Sequence, residues 1–104
     1  MSSKKDIRKR FRDACFSRDE FCCAKCGFKS SKEKAEQELD AHHITSRKDM
    51  PNGGYVSENG ISLCSECHIK AEECRQGYSA SELYSIINSN YDKAVKASTK
   101  LSIL

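Results

Sequence analysis

Two stretches decide the reading of this 104-residue chain: LDAHHI at residues 39–44 and ENGISLCSECH at residues 58–68. Each contains a short apolar-rich run of strand character, and Met50-Pro51-Asn52-Gly53-Gly54 between them is a cluster of turn residues. The expectation is a hairpin with strands at 39–44 and 60–63 and a long loop over 45–57. Directly after Cys64, Ser65 is placed to cap a helix that starts near Glu66, carries Cys67, His68, Ala71 and Cys74, and stops at Gly77.

Working outward, Cys64 and Cys67 are matched by an earlier pair, Cys23 and Cys26, and each C-x2-C unit can present two thiolates to one tetrahedral ion. With 37 residues between the pairs, an ion held by all four would clamp two distant segments around the inserted hairpin. Cys22 could stand in for Cys23 with x3 spacing, but Cys23 keeps the matched spacing and is the expected ligand. A structural zinc suits the composition: 38% hydrophobic residues, 32% charged and no Trp make a thin core for a chain of this length. The odd count of seven Cys and an N-terminus, MSSKKDIRKRFRD, without an apolar stretch favour a reducing, intracellular setting over a disulfide framework. Cys15 and Cys74 are expected to pack on apolar helix faces.

All three His of the chain fall in two places, His42-His43 at the end of the first strand and His68 beside the second Cys pair. One His alone suggests little, because most are surface or hydrogen-bonded residues; three gathered around a metal-binding framework suggest a site.

Flanking this centre, Ile7, Phe11, Ala14 and Cys15 lie on one face of a predicted helix over 4–16, with Lys4, Lys5, Arg8, Lys9 and Arg12 over much of the remainder. Residues 1–34 hold 11 Lys/Arg against 5 Asp/Glu, and residues 35–104 hold 7 against 10, so the net charge of +3 is concentrated at the front. Such a face is either simply solvated or drawn to a phosphate backbone. Residues 18–31 read as a short strand turning through a Cys-Gly knuckle, and SSKEKAEQE after it as a polar loop. A last helix is expected over 80–91, with Leu83, Ile86, Ile87 and Tyr91 on one side and Ser79 or Ser81 near its cap; beyond Lys93 no pattern is evident. No apolar run approaches the roughly 20 residues needed to span a bilayer.

Cys23-x2-Cys26, Ala41-His42-His43-Ile44 and Glu58-Asn59-Gly60-Ile61-Ser62-Leu63-Cys64-x2-Cys67-His68, in that order, resemble the HNH endonuclease family over residues 18–75. The resemblance implies a ββα-metal core; together with the four-cysteine zinc at 18–78, the basic helix at 1–17 and the C-terminal helix and tail at 79–104, the expectation is an α+β chain of one domain. The resemblance also implies that His42 and His68 hold a catalytic divalent ion (Mg²⁺, Mn²⁺, Ni²⁺ or Zn²⁺), that His43 is the general base, and that Asn59 ties the hairpin loop. The reaction would be hydrolysis of DNA, expected to be double-stranded, to 5′-phosphate and 3′-hydroxyl ends.

Arg8, Lys9, Arg12, Arg47, Lys48 and Lys70 are the candidate DNA contacts, with Arg75 a further cation on the same helix as Lys70. Low sequence specificity, or a protein partner that supplies it, is expected, since no base-reading module is evident. Small freestanding proteins of the family resemble phage packaging nickases and accessory restriction nucleases. Two other readings fit parts of the sequence. A non-catalytic zinc module binding DNA or RNA leaves His42, His43 and Asn59 without a role; a zinc-stapled protein-interaction domain would use the positive front for an acidic partner.

Overall fold

The computed structural model describes residues 3–101. Its first element, α1 (Lys4–Arg18), is capped by Ser3, whose Oγ accepts a hydrogen bond from the Asp6 amide at 3.1 Å. It buries Ile7, Phe11, Cys15 and Phe16. The expected face is therefore shifted: Ala14 is exposed, and Phe16, left off that face in the sequence reading, joins the core. At the end of α1, Arg18 donates to the carbonyls of Ser57 (2.6 Å) and Gly60 (2.7 Å) and forms a two-armed pair with Asp19. Asp19 in turn accepts from the Ser62 amide at 2.9 Å. A helix end and a strand thus share one charged clasp, the kind of hydrogen bond worth more than a neutral one.

The Cys-Gly knuckle is held by backbone bonds from Cys23 to Phe28 and from Ser30 to Phe21, with one isolated bridge between Cys22 and Lys29. Gly27 turns it at φ +84°, a left-handed conformation that suits glycine. The polar stretch beyond is not all loop, because Ala35 is buried and anchors a short helix, α2 (Ala35–Glu38).

Strands β1 (Leu39–His43) and β2 (Gly60–Cys64) pair antiparallel, with Leu39 opposite Cys64, His42 opposite Ile61 and His43 opposite Gly60. Three short turns of tight helix fill the expected loop between them. Because side chains alternate along a strand, Asp40 and His42 share one face while Ala41 and His43 share the other. Helix α3 (Ser65–Glu72) meets the first face and α1 the second, so the sheet lies between two helices. Chain order and packing make β1, β2 and α3 a ββα unit.

Several expectations near the C-terminus are corrected. Helix α3 includes Ser65, has Cys64 at its cap position without a side-chain hydrogen bond, and ends at Glu72 rather than running to Gly77. Cys74 is exposed at φ +51° just beyond it and does not pack. The single helix expected over 80–91 is two helices, α4 (Ala80–Ile86) and α5 (Tyr91–Thr99), separated at Asn88, which has φ +55°. Ser79 caps α4 in a reciprocal arrangement with Glu82. Leu83 and Tyr84 are the buried pair there, whereas Ile86 and Tyr91 are exposed. Helix α5 packs on the turn Pro51–Gly54 through Ala94 and Ser98, and Asn52 donates to the carbonyls of Ser98 and Leu101. Residues 1, 2 and 102–104, part of the expected N-terminal segment and tail, lie outside the described residues.

Candidate active site and four-cysteine cluster

The two C-x2-C units meet, one at the knuckle and the other at the β2–α3 junction. The ligand atoms of Cys23, Cys26, Cys64 and Cys67 all lie within 4.8 Å of one another. Tetrahedral coordination at a Zn–S distance of about 2.3 Å requires sulfurs about 3.8 Å apart. Cys26 Sγ and Cys64 Sγ are 3.7 Å apart, so the cluster fits a zinc ion. Burial works to raise the Cys23 thiol, but the backbone amides of Cys26, Cys64 and Lys25 outweigh it and bring the pKa down to about 7, favouring the thiolate that a metal takes. Cys67 Sγ lies 3.3 Å from the Tyr78 hydroxyl, whose ring carries Lys25 Nζ at 5.0 Å. Cys22 is outside the cluster, and its Sγ points to the Glu20 carbonyl instead.

On the α3 side of the sheet, the rings of His42 and His68 meet edge to face with centroids 5.1 Å apart. His68 is held at both nitrogens, with Nδ1 3.0 Å from Asp40 Oδ2 and Nε2 3.0 Å from Glu72 Oε1. Burial, then the neighbouring His68, pushes the pKa of His42 down to about 4, so near neutral pH its imidazole keeps the lone pair a metal needs. His42 and His68 thus share this face with Asp40 and Glu72, whereas among the described residues only the four cysteines bring three or more ligand atoms together as a metal site. Sequence reasoning missed both carboxylates. The signals were present: Asp40 is two residues before His42 on a strand, and Glu72 is four after His68 on a helix, each the spacing that shares a face.

On the opposite face, His43 lies among aromatic rings. Phe11 stacks on it with centroids 4.4 Å apart, and Tyr55 meets it edge to face at 4.8 Å. Burial first, then the charge of Arg47, lowers its pKa to about 4. Its Nε2 is buried without a hydrogen-bond partner. Asn59 is fully buried between the strand ends. Its Oδ1 accepts from the Thr45 amide (3.0 Å) and the Tyr84 hydroxyl (2.7 Å), and its Nδ2 donates to the carbonyls of Thr45 (3.0 Å) and Gly54 (3.3 Å).

The cations divide. Arg8, Arg12 and Arg47 border a depression that His43 also lines, while Lys48 lines an adjoining cleft with Arg8 and Arg47. Arg12 also bonds Glu36 at 2.9 Å. Lys9 is paired with Asp13 (2.7 Å) and Arg75 with Glu73 (2.7 Å), and neither Lys9 nor Lys70 borders these two hollows.

A ββα unit, a zinc-compatible cysteine cluster, the facing rings of His42 and His68 and a basic rim beside His43 make up this small α+β domain. The family model described as HNH endonuclease matches residues 23–73, and this segment is an HNH-family domain, which ties the chain to nuclease-type, nucleic-acid-related function. Neither the curated proteins nor the solved structures contain a match.

Proposed function

We propose that the chain is a metal-dependent DNA endonuclease, a reading carried by the convergence of His42 and His68 on one side of β1 while the neighbouring His43 stands on the other. His42 and His68 would hold the ion, His68 through Nε2 once its contact to Glu72 gives way, while Asp40 on Nδ1 orients the ring. When bound, the ion supplies Lewis-acid stabilisation of the phosphoryl oxygens and of the departing 3′ oxygen.

His43 would act as the general base. A pKa held near 4 keeps its ring neutral at physiological pH, the form that can accept a proton. With Nε2 buried, Nδ1 is the nitrogen left to meet water. The attacking water forms the new bond to phosphorus and passes its proton to His43; the bond from phosphorus to the 3′ oxygen breaks, and that oxygen is protonated from solvent. Asn59 holds the loop next to His43 through four hydrogen bonds and takes no proton. Arg47, whose charge reaches His43, and Arg8 are placed to neutralise flanking phosphates. In the four-cysteine cluster, zinc would serve folding rather than chemistry.

The test is supercoiled plasmid incubated with Mg²⁺, Mn²⁺ or Ni²⁺ and with no added metal, with His43→Ala in parallel. Nicked or linear product from the wild type, and none from a variant with an unchanged circular-dichroism spectrum, is expected. Intact plasmid under every metal, together with salt-sensitive DNA binding, would assign the chain to the non-catalytic zinc modules instead.

A further inference from the structure

Between the first two turns of α1 and the turns that follow β1 lies a cleft of about 660 Å³. Lys4, Arg8, Arg47 and Lys48 supply four cations to its lining, and no carboxylate contributes. None of the four enters an ion pair among the described residues. The cleft is therefore an uncompensated positive hollow, and its occupant should be anionic.

Its walls are not only charged. Ile7 and the ring of Tyr55 form apolar surface, and the Tyr55 hydroxyl accepts a hydrogen bond from Arg47 Nη1 at 2.9 Å, which fixes that guanidinium against the aromatic wall. Gly53 leaves room for this ring, because a Cβ there would stand 2.8 Å from Tyr55 Cε2. Arg8, Arg47 and Tyr55 also border the depression that contains His43, so the cleft opens toward the candidate base.

A phosphate needs only cations at a surface. A hollow of this volume with an aromatic side suits a whole nucleotide, the combination by which proteins hold unpaired strands. We propose that the cleft takes one nucleotide of the substrate strand beside the scissile bond, its base unstacked against Tyr55 and its phosphates on Arg8 and Arg47, making single-stranded or locally unpaired DNA the preferred substrate. The cleavage half of this statement rests on the nuclease reading; the binding half stands without it. A base in duplex must first leave its stack, and a mismatched or single-stranded base does so at less cost.

The experiment uses labelled DNA of one sequence presented as a single strand, as a duplex with a central mismatch and as a fully paired duplex. Binding is read by fluorescence anisotropy without added divalent metal, and cleavage with metal. Single-stranded and mismatched DNA should bind roughly tenfold or more tightly than the paired duplex, the order that one base–aromatic stack supplies. Ser46→Trp, at an exposed position in the cleft lining, and Tyr55→Leu should each collapse that ratio while the proteins keep native-like melts. Arg8→Ala with Arg47→Ala should lower the salt dependence of single-strand binding by roughly 1.4 in log–log slope.

Equal binding of all three forms, or a preference that both cleft variants retain, overturns the proposal. Plasmid cleavage combined with equal binding would sink the cleft and leave the nuclease standing. A single-strand preference lost in Ser46→Trp, without cleavage under any metal, would do the reverse.

Discussion

Phe11 stacks on His43 with ring planes 27° from parallel, so a residue of the N-terminal helix fixes the orientation of the candidate base on β1. The contact is possible because β2 offers Gly60 opposite His43: a Cβ at Gly60 would fall 2.5 Å from Phe11 Cε1 and 2.4 Å from Cys15 Sγ.

Replacing the flat ring but keeping apolar bulk should separate orientation from packing. In Phe11→Leu, kcat is expected to fall by about tenfold to a hundredfold, the scale of a small misplacement of a catalytic group. KM should stay within about twofold of wild type, since the cations proposed to hold the phosphates, Arg8 and Arg47, are kept. Steady-state kinetics alongside a thermal melt decide it; an unchanged kcat in a merely less stable protein would remove Phe11 from any positioning role.

Gly60→Ala tests the same approach from the strand. The added methyl meets ring and sulfur atoms in a buried site, so stability should drop by about 1–3 kcal/mol, the usual cost of overpacking. Urea unfolding measures it. A midpoint equal to wild type would mean that α1 moves away freely.

The sulfur cluster predicts different outcomes for neighbouring cysteines. Cys22→Ser should retain full zinc by elemental analysis and melt like wild type, whereas Cys26→Ser and Cys64→Ala should lose the metal and much of the fold. Zinc loss in Cys22→Ser would transfer the ligand role from Cys23 to Cys22.

Stability should also depend on pH in a defined direction. His42 and His43 are both held at about 4 by burial, whereas in the unfolded chain each titrates near 6.5. Their stability contribution is complete above pH about 6.5; below it the unfolded chain takes up protons that the native site refuses, so stability falls toward pH 4, where the slope ends. Urea midpoints at several pH values for wild type and His43→Gln provide the check. The variant should show a shallower decline, and identical declines would mean that His43 titrates normally in the fold.

Much of the centre was legible in the sequence because its residues are rare types at regular spacings: the Cys pairs, the clustered His and the glycine-rich turn. What escaped has physical causes. Helix α5 carries no large apolar stripe, since it buries Ala94 and Ser98, and periodicity is blind to small residues. The break at Asn88 lies inside the apolar run from Leu83 to Tyr91 that read as one helix, although Ile86 and Tyr91 face solvent. Asp40 and Glu72 looked like ordinary surface charges until the fold set them on the two nitrogens of His68. Phe11 was evident as a core residue, but its partner lies on a strand whose approach to α1 depends on Gly60.

The four-cysteine cluster joins residues 23–26 to residues 64–67 and leaves the turn before α2 on the segment between them. A chain severed in that turn would yield two fragments, each with one C-x2-C unit and therefore half of the same coordination shell. With zinc bound they should remain one particle, and a strong chelator should release them as two, so the metal would take over the continuity that the peptide bond had provided.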